Sequence, residues 1–183
     1  RFKERQMKKL MITPLLAIST FATAGMPSLT FEGKKITVED TRASLIKKLG
    51  KPTSGDVSYS HWEKPNYSIS ASYDQYGLKN FGISQLRTTP SANFIQVHNT
   101  KFYLGKNTLK SVVAQLKRGC FDVLDTKFNS NYSFIVRDGA EGEINVGLTA
   151  EYVNNSKTAS LNKPIHGIVL SYDELDTSEG CNY

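Results

Sequence analysis

"DTRASLIKKLGKP" occupies residues 40–52, and "GKNTLKSVVAQLK" occupies residues 105–117. Set 67 positions apart, Thr41 meets Thr108, Ser44 meets Ser111, Leu45 meets Val112, Ile46 meets Val113 and Leu49 meets Leu116. Asp40 and Asn107, each just before its threonine, read as N-caps whose side-chain oxygens satisfy free N–H groups of a first helical turn. Leu109, Val112, Val113 and Leu116 fall at i, i+3, i+4 and i+7, a one-sided apolar stripe. Arg42 stands where the second copy has Leu109, so the first stripe is shorter. Gly50-Lys51-Pro52 ends the first helix and Gly119 the second.

The segments downstream of the two helices also match. "YSISASYD" (67–74) and "YSFIVRD" (132–138) alternate as half-buried strands do. The next strands, "LKNFGISQL" (78–86) and "INVGLTAEYV" (144–153), each carry a central glycine, Gly82 and Gly147, expected at a bulge or a close backbone approach. "RTTPSAN" (87–93) reads as the linker and "HGIVLSYDEL" (166–175) as a last strand. The fold class that results is α+β, a tandem duplication in which each repeat is a short helix packed on an antiparallel meander sheet. The repeats are residues 25–92 and 93–183. One helix covers one side of a sheet, so the opposite faces are expected to be polar or to bind something.

The compartment is read from residues 1–24, an upstream extension plus a secretory signal peptide. From Met7, Lys8 and Lys9 precede an apolar run over 10–21, and Ala22-Thr23-Ala24 closes it with small residues. That run is shorter than the roughly 20 residues a lasting transmembrane anchor needs. Cleavage after Ala24 makes Gly25 the mature N-terminus and implies a periplasmic or secreted protein of bacterial type, with no stable membrane anchor. The leader also carries much of the charge. The whole chain has 23 basic and 17 acidic residues; without residues 1–24, 18 and 16 remain, a net charge of +2. A nucleic-acid footprint needs clustered basic excess, so nucleic acid is not expected as a partner. Cys120 and Cys181 are an even pair for an oxidising compartment and are expected to form a disulfide that ties the C-terminal tail.

"DTRASLIKKLGKP" (40–52) and "LGKNTLKSVVAQL" (104–116) also carry a resemblance. A capped helix ended by "LGKP" and followed by a meander resembles the repeat of the small outer-membrane assembly lipoproteins. Two such repeats in one secreted chain resemble the beta-lactamase inhibitor protein family. The chain departs from that pattern in having no lipid-accepting cysteine and one expected disulfide rather than one per repeat. The resemblance implies a non-enzymatic protein that binds another protein on its sheet face.

The chemistry-bearing residues agree with that implication. His61, His98 and His166 are isolated, without a histidine or cysteine at ligand spacing, so no metal and no cofactor are expected. There is no nucleophile elbow, phosphate loop or dinucleotide fingerprint. Asp138, Glu141 and Glu143 in "DGAEGE" lack calcium-loop spacing and read as a solvated turn. No catalytic residue is expected. The aromatic inventory is large, with nine Tyr, nine Phe and one Trp. In "VSYSHW" (57–62) and "YSISASY" (67–73) it alternates with serine. Core packing is the ordinary use of such rings, but Tyr and Trp also dominate binding hot spots. The expected partner-binding residues are Trp62, Tyr59, Tyr67 and Tyr73 on an exposed sheet face. The functional expectation is an inhibitor or immunity-type protein acting on another envelope or secreted protein. A structural or assembly accessory of the envelope, and an enzyme with an unrecognised carboxylate site, are the alternatives.

Overall fold

A computed structural model describes residues 26–117, 119–123, 129–137, 144–153 and 155–172. The leader, the "DGAEGE" segment and Cys181 lie outside the described residues. Two sheets and three short helices make an α+β architecture. A four-stranded sheet is built from β1 (Ser28–Phe31), β2 (Lys34–Ile36), β7 (Phe94–Val97) and β8 (Thr100–Tyr103), in the order β2-β1-β7-β8. An eight-stranded sheet takes β3 (Ser54–Gly55), β4 (Tyr59–Lys64), β5 (Tyr67–Asp74) and β6 (Gly77–Gln85) on one side. Its other side is β9 (Cys120–Val123), β10 (Asn129–Arg137), β11 (Ile144–Glu151) and β12 (Ile165–Tyr172). Its order is β3-β4-β5-β6-β12-β11-β10-β9, and every pairing in both sheets is antiparallel. Each sheet therefore has strands from the first half of the chain on one side and from the second half on the other. The seams are β1–β7 and β6–β12.

The helices are α1 (Arg42–Leu49), α2 (Leu109–Leu116) and α3 (Lys157–Leu161). Their caps fall one residue later than the sequence suggests. Thr41 and Thr108 are the N-caps, and their hydroxyls accept from the N–H of Ser44 and Ser111. Asp40 and Asn107 sit just before and bond the incoming loop instead. Asp40 accepts from the Thr37 N–H at 3.0 Å, and Asn107 from the Tyr103 N–H at 2.7 Å. Asp40 is buried and also holds the Lys48 ammonium, 2.8 Å from Oδ2. A buried carboxylate needs such partners, and Asp40 has the Lys48 ammonium, the Thr37 N–H and the hydroxyl of Ser44 in the first turn of α1. The second helix ends at Lys117 in the left-handed region, two residues before Gly119.

Alternation of side chains places the core between the sheets. One inner row of the large sheet runs Trp62, Ile69, Ile83, Ile168, Leu148 and Tyr132; the next runs Ser60, Ala71, Phe81, Leu170, Val146 and Phe134. All twelve are buried, and their apolar members form one cluster with Leu29, Phe31, Ile36, Ile95, Val97 and Phe102 from the small sheet and with Leu45, Leu49, Leu109 and Val112 from the helices. At about 25 cal/mol per Å² of apolar surface removed from water, this shared core is the main stabilising term. Gly82 and Gly147 are not bulges: both sit in regular register, and the irregularities lie at Ser72/Tyr73, Ile135/Arg137 and Thr149/Ala150.

Candidate functional site

Trp62 belongs to the core, not to an exposed face. Its side chain is 1% exposed, and its indole N–H donates to the Gly50 carbonyl at 2.8 Å. Beside it, the Lys64 ammonium donates to the Leu49 carbonyl at 2.8 Å. Two inward side chains of β4 thus satisfy free carbonyls at the C-terminus of α1, where positive charge is favourable. Tyr67 also turns inward: its ring meets Phe31 edge-on at 5.1 Å, and its hydroxyl shares a 2.8 Å hydrogen bond with Ser91. Tyr73 packs against the same core, and burial raises its phenol's pKa while Ser60 and the Arg42 charge oppose the rise. Of the four expected aromatic contacts only Tyr59, 42% exposed, lies on the outer face. In β5 the interior takes the face with the larger side chains, and in β4 it takes the face of Trp62, which buries Ser60 and leaves Tyr59 outside.

The outer face is therefore made of the other half of the alternation. Following the register, one row reads His61, Ser70, Gly82, Val169, Gly147, Ser133 and Cys120. A second reads Glu63, Ser68, Ser84, Gly167, Thr149, Asn131 and Asp122, and a third Tyr59, Ser72, Asn80, Ser171, Asn145 and Ile135. Serine, glycine, threonine and asparagine dominate, with acidic residues at the Glu63 and Asp122 positions. The small sheet and the helices share the core on the opposite side, so none of them covers this surface. Two side chains on this side hold buried polar atoms with unused hydrogen-bonding capacity. Asn145 is 4% exposed, and neither atom of its amide finds a partner among the described residues. The His166 Nδ1 likewise has none, while its Nε2 lies 3.1 Å from the Asn129 Oδ1. Burial lowers the pKa of His166, partly offset by its own backbone carbonyl and the charge of Glu151.

Around His166 the face dips into a hollow of about 210 Å³ spanning the β6–β12 seam. Ser68, Ser70, Ser84, Thr149, Asn129 and His166 line it, with Gly82, Gly167 and Val169 as floor. A larger cavity of about 460 Å³ lies at the strand ends beside Val38, Glu39, Asp74, Tyr76, Gly77, Leu78 and Tyr172. Its rim is chain turns, and Tyr76 on it is 88% exposed. Among the described residues no three His, Cys, Asp or Glu side chains gather as metal ligands, and no helix is long and apolar enough to cross a membrane. No protein-family model matches this chain, and neither a curated protein nor a solved structure does.

The hollow and the polar rows were hidden from motif reading because serine and glycine carry no chemical signature at any spacing. The available signal was the strand alternation itself: once the aromatics are assigned to the core, the serines and glycines must form the surface.

Proposed function

We propose that the protein is a non-enzymatic binding module that offers the outer face of its eight-stranded sheet to another protein, as an inhibitor or immunity-type partner of an envelope or secreted protein. The observation that carries this reading is the surface itself: wide, left open by the small sheet and the helices among the described residues, and made mostly of short polar side chains, with Glu63 and Asp122 its acidic positions. Such a face lets a partner approach the sheet closely over a standard interface of about 800 Å² per side. Residues 1–24 are the leader that exports the chain, and Cys120 is bridged to Cys181. The chain is a tandem duplication, supported by the equivalence of Thr41 with Thr108 at the two helix caps and by the mirrored strand order of both sheets.

The test uses residues 25–183 immobilised and challenged with envelope extract, beside a variant carrying Ser70→Arg and Ser133→Arg. Both substitutions put long charged side chains on the outer face without touching the core. A partner retained by the natural protein and lost by the variant is the expected result. Retention by both, with the variant still folded by circular dichroism, sinks the proposal. Adding the protein to the captured partner at equal concentration separates inhibition, in which the partner's activity falls, from an assembly role, in which it does not. Mass spectrometry of protein expressed with its leader should give Gly25 as N-terminus and the mass of a bridged cysteine pair.

A further inference from the structure

We infer that the outer face of the four-stranded sheet is a second contact surface, and that it takes an acidic segment of a partner protein, one presenting at least two neighbouring carboxylates. This surface belongs to a different sheet from the one proposed above and does not depend on it.

Register and burial place the surface. Ile95 and Phe102 are paired and 0% exposed, so the next pair along β7 and β8, Phe94 and Tyr103, stands on the opposite side of the sheet. The row continues through Thr30 on β1 to Lys35 on β2. Phe94 and Tyr103 are half-buried, and their rings meet at 5.0 Å with a tilt of 50°. The Lys101 ammonium lies over the Phe94 ring, 4.7 Å from its centre, and the Lys106 ammonium over the Tyr103 ring at 5.2 Å. Two exposed lysines are thereby held on one small aromatic pair, each ammonium attracted by the negative face of its ring.

Three features select the occupant. The first is charge. Among the described residues neither ammonium is paired with a carboxylate, and the row from Lys35 to Tyr103 holds no acidic residue. The complement of such a face is anionic. The second is that an ammonium already sits over each ring, so the pair is a poor stacking platform for a nucleic-acid base.

The third is number and shape. Two cations on touching rings ask for two anionic groups at side-chain spacing. Same-side residues of an extended segment recur about every 7 Å, so neighbouring acidic residues supply them. An anionic bilayer would need apolar side chains to insert as well as charge, and these rings are half-buried on the sheet. The ammoniums stay hydrated, so each contact is weak and screened by salt, and the face acts mainly on the rate of encounter.

The experiment is a heteronuclear NMR titration of the mature protein with capped hexaglutamate and hexaglutamine peptides, and with phosphatidylglycerol vesicles in parallel. At about 0.01 M salt, where exposed charges act over about 30 Å, hexaglutamate should shift the Phe94, Lys101 and Tyr103 amides saturably; at about 1 M, where the reach is about 3 Å, the shifts should vanish. Lys101→Glu combined with Lys106→Glu should weaken binding at least about tenfold at low salt. Lys101→Gln with Lys106→Gln removes the charges without reversing them and should weaken it less, which keeps the test open if the reversed variant fails to fold. Lys47→Glu with Lys79→Glu changes net charge equally at exposed positions elsewhere and should keep most of the binding. Equal shifts from hexaglutamine, no shift at all, shifts away from β7 and β8, an equal loss in the Lys47 and Lys79 variant, or a response to vesicles alone each overturn the assignment. Because the probes are free peptides, their failure removes this second surface and leaves the capture result on the eight-stranded sheet standing.

Discussion

Leu29 on β1 and Ile95 on β7 are paired directly across the centre of the four-stranded sheet. Each holds the same place in its own hairpin, Leu29 opposite Ile36 and Ile95 opposite Phe102, and all four are 0% exposed. Both Leu29 to Ile95 and Ile36 to Phe102 are 66 positions apart, one short of the helix offset. The two hairpins therefore meet at matching positions of their strands.

If the two hairpins are copies, their central residues should carry comparable loads. Leu29→Ala and Ile95→Ala are each expected to cost about 2–5 kcal/mol by urea unfolding, the range for emptying a packed aliphatic site. Because the two positions touch, the double variant should depart from the sum of the singles by about 0.5 kcal/mol or more. A large loss at one position and none at the other would count against equivalence.

The helices are less alike than their sequences. Leu49 is 5% exposed, whereas Leu116, its counterpart, is only partly buried against the core. Leu49→Ala should therefore cost about 2–5 kcal/mol and Leu116→Ala clearly less. The Lys48 ammonium holds the buried Asp40 carboxylate, so Lys48→Ala should cost about 1–3 kcal/mol. Denaturant midpoints for the three variants, measured together, decide the order.

Trp62 offers the most direct check on which face is inside. Trp62→Ala should cost about 3–5 kcal/mol through the emptied core site. The Gly50 carbonyl would also lose its 2.8 Å donor. Since this is the chain's only tryptophan, its fluorescence reports the same burial: a blue-shifted emission in the folded protein moving red on unfolding. An emission already at the fully hydrated position, with a silent Trp62→Ala, would return Trp62 to the surface.

Much of the fold was legible because it depends on period and capping. The alternating stretch 67–74 coincides with β5 in its bounds, and the two repeated stretches coincide with α1 and α2, whose caps fall one residue beyond Asp40 and Asn107. Partition between faces was not legible at "VSYSHW", because alternation states that two faces differ and says nothing of which is covered. Burial depends on the small sheet, whose β1–β7 pairing joins residues about 66 apart, a contact no local pattern encodes. α3 was missed for a different reason: five residues are too few to show a helical stripe, and Ser156, its cap, sits in an ordinary polar loop. The candidate hollow is assembled from five strands, so its lining is scattered over about a hundred residues of sequence.

His166 gives the protein's stability a pH dependence of its own. Its folded pKa lies below the ordinary value of 6.5 because burial disfavours the imidazolium, and the Glu151 charge only partly compensates. In the unfolded chain the ring is hydrated and takes up a proton first as pH falls. The unfolded state then binds more protons than the folded one, so stability rises with pH in that window. Its contribution is fully present above pH 6.5 and is lost as the pH falls from there through the folded pKa. The groups facing the ring include Asn129 on β10, which does not titrate, and Glu151 on β11, whose carboxylate Lys163 holds at 2.9 Å. Unfolding free energy measured in urea from pH 7.5 to 5 should therefore decline below pH 6.5 in the natural protein. His166→Gln keeps a polar side chain but cannot titrate, so its profile should be flatter across that range. A natural profile that stays level, or a His166→Gln profile that declines equally, would mean the imidazole is hydrated in the folded protein and the hollow is open to water.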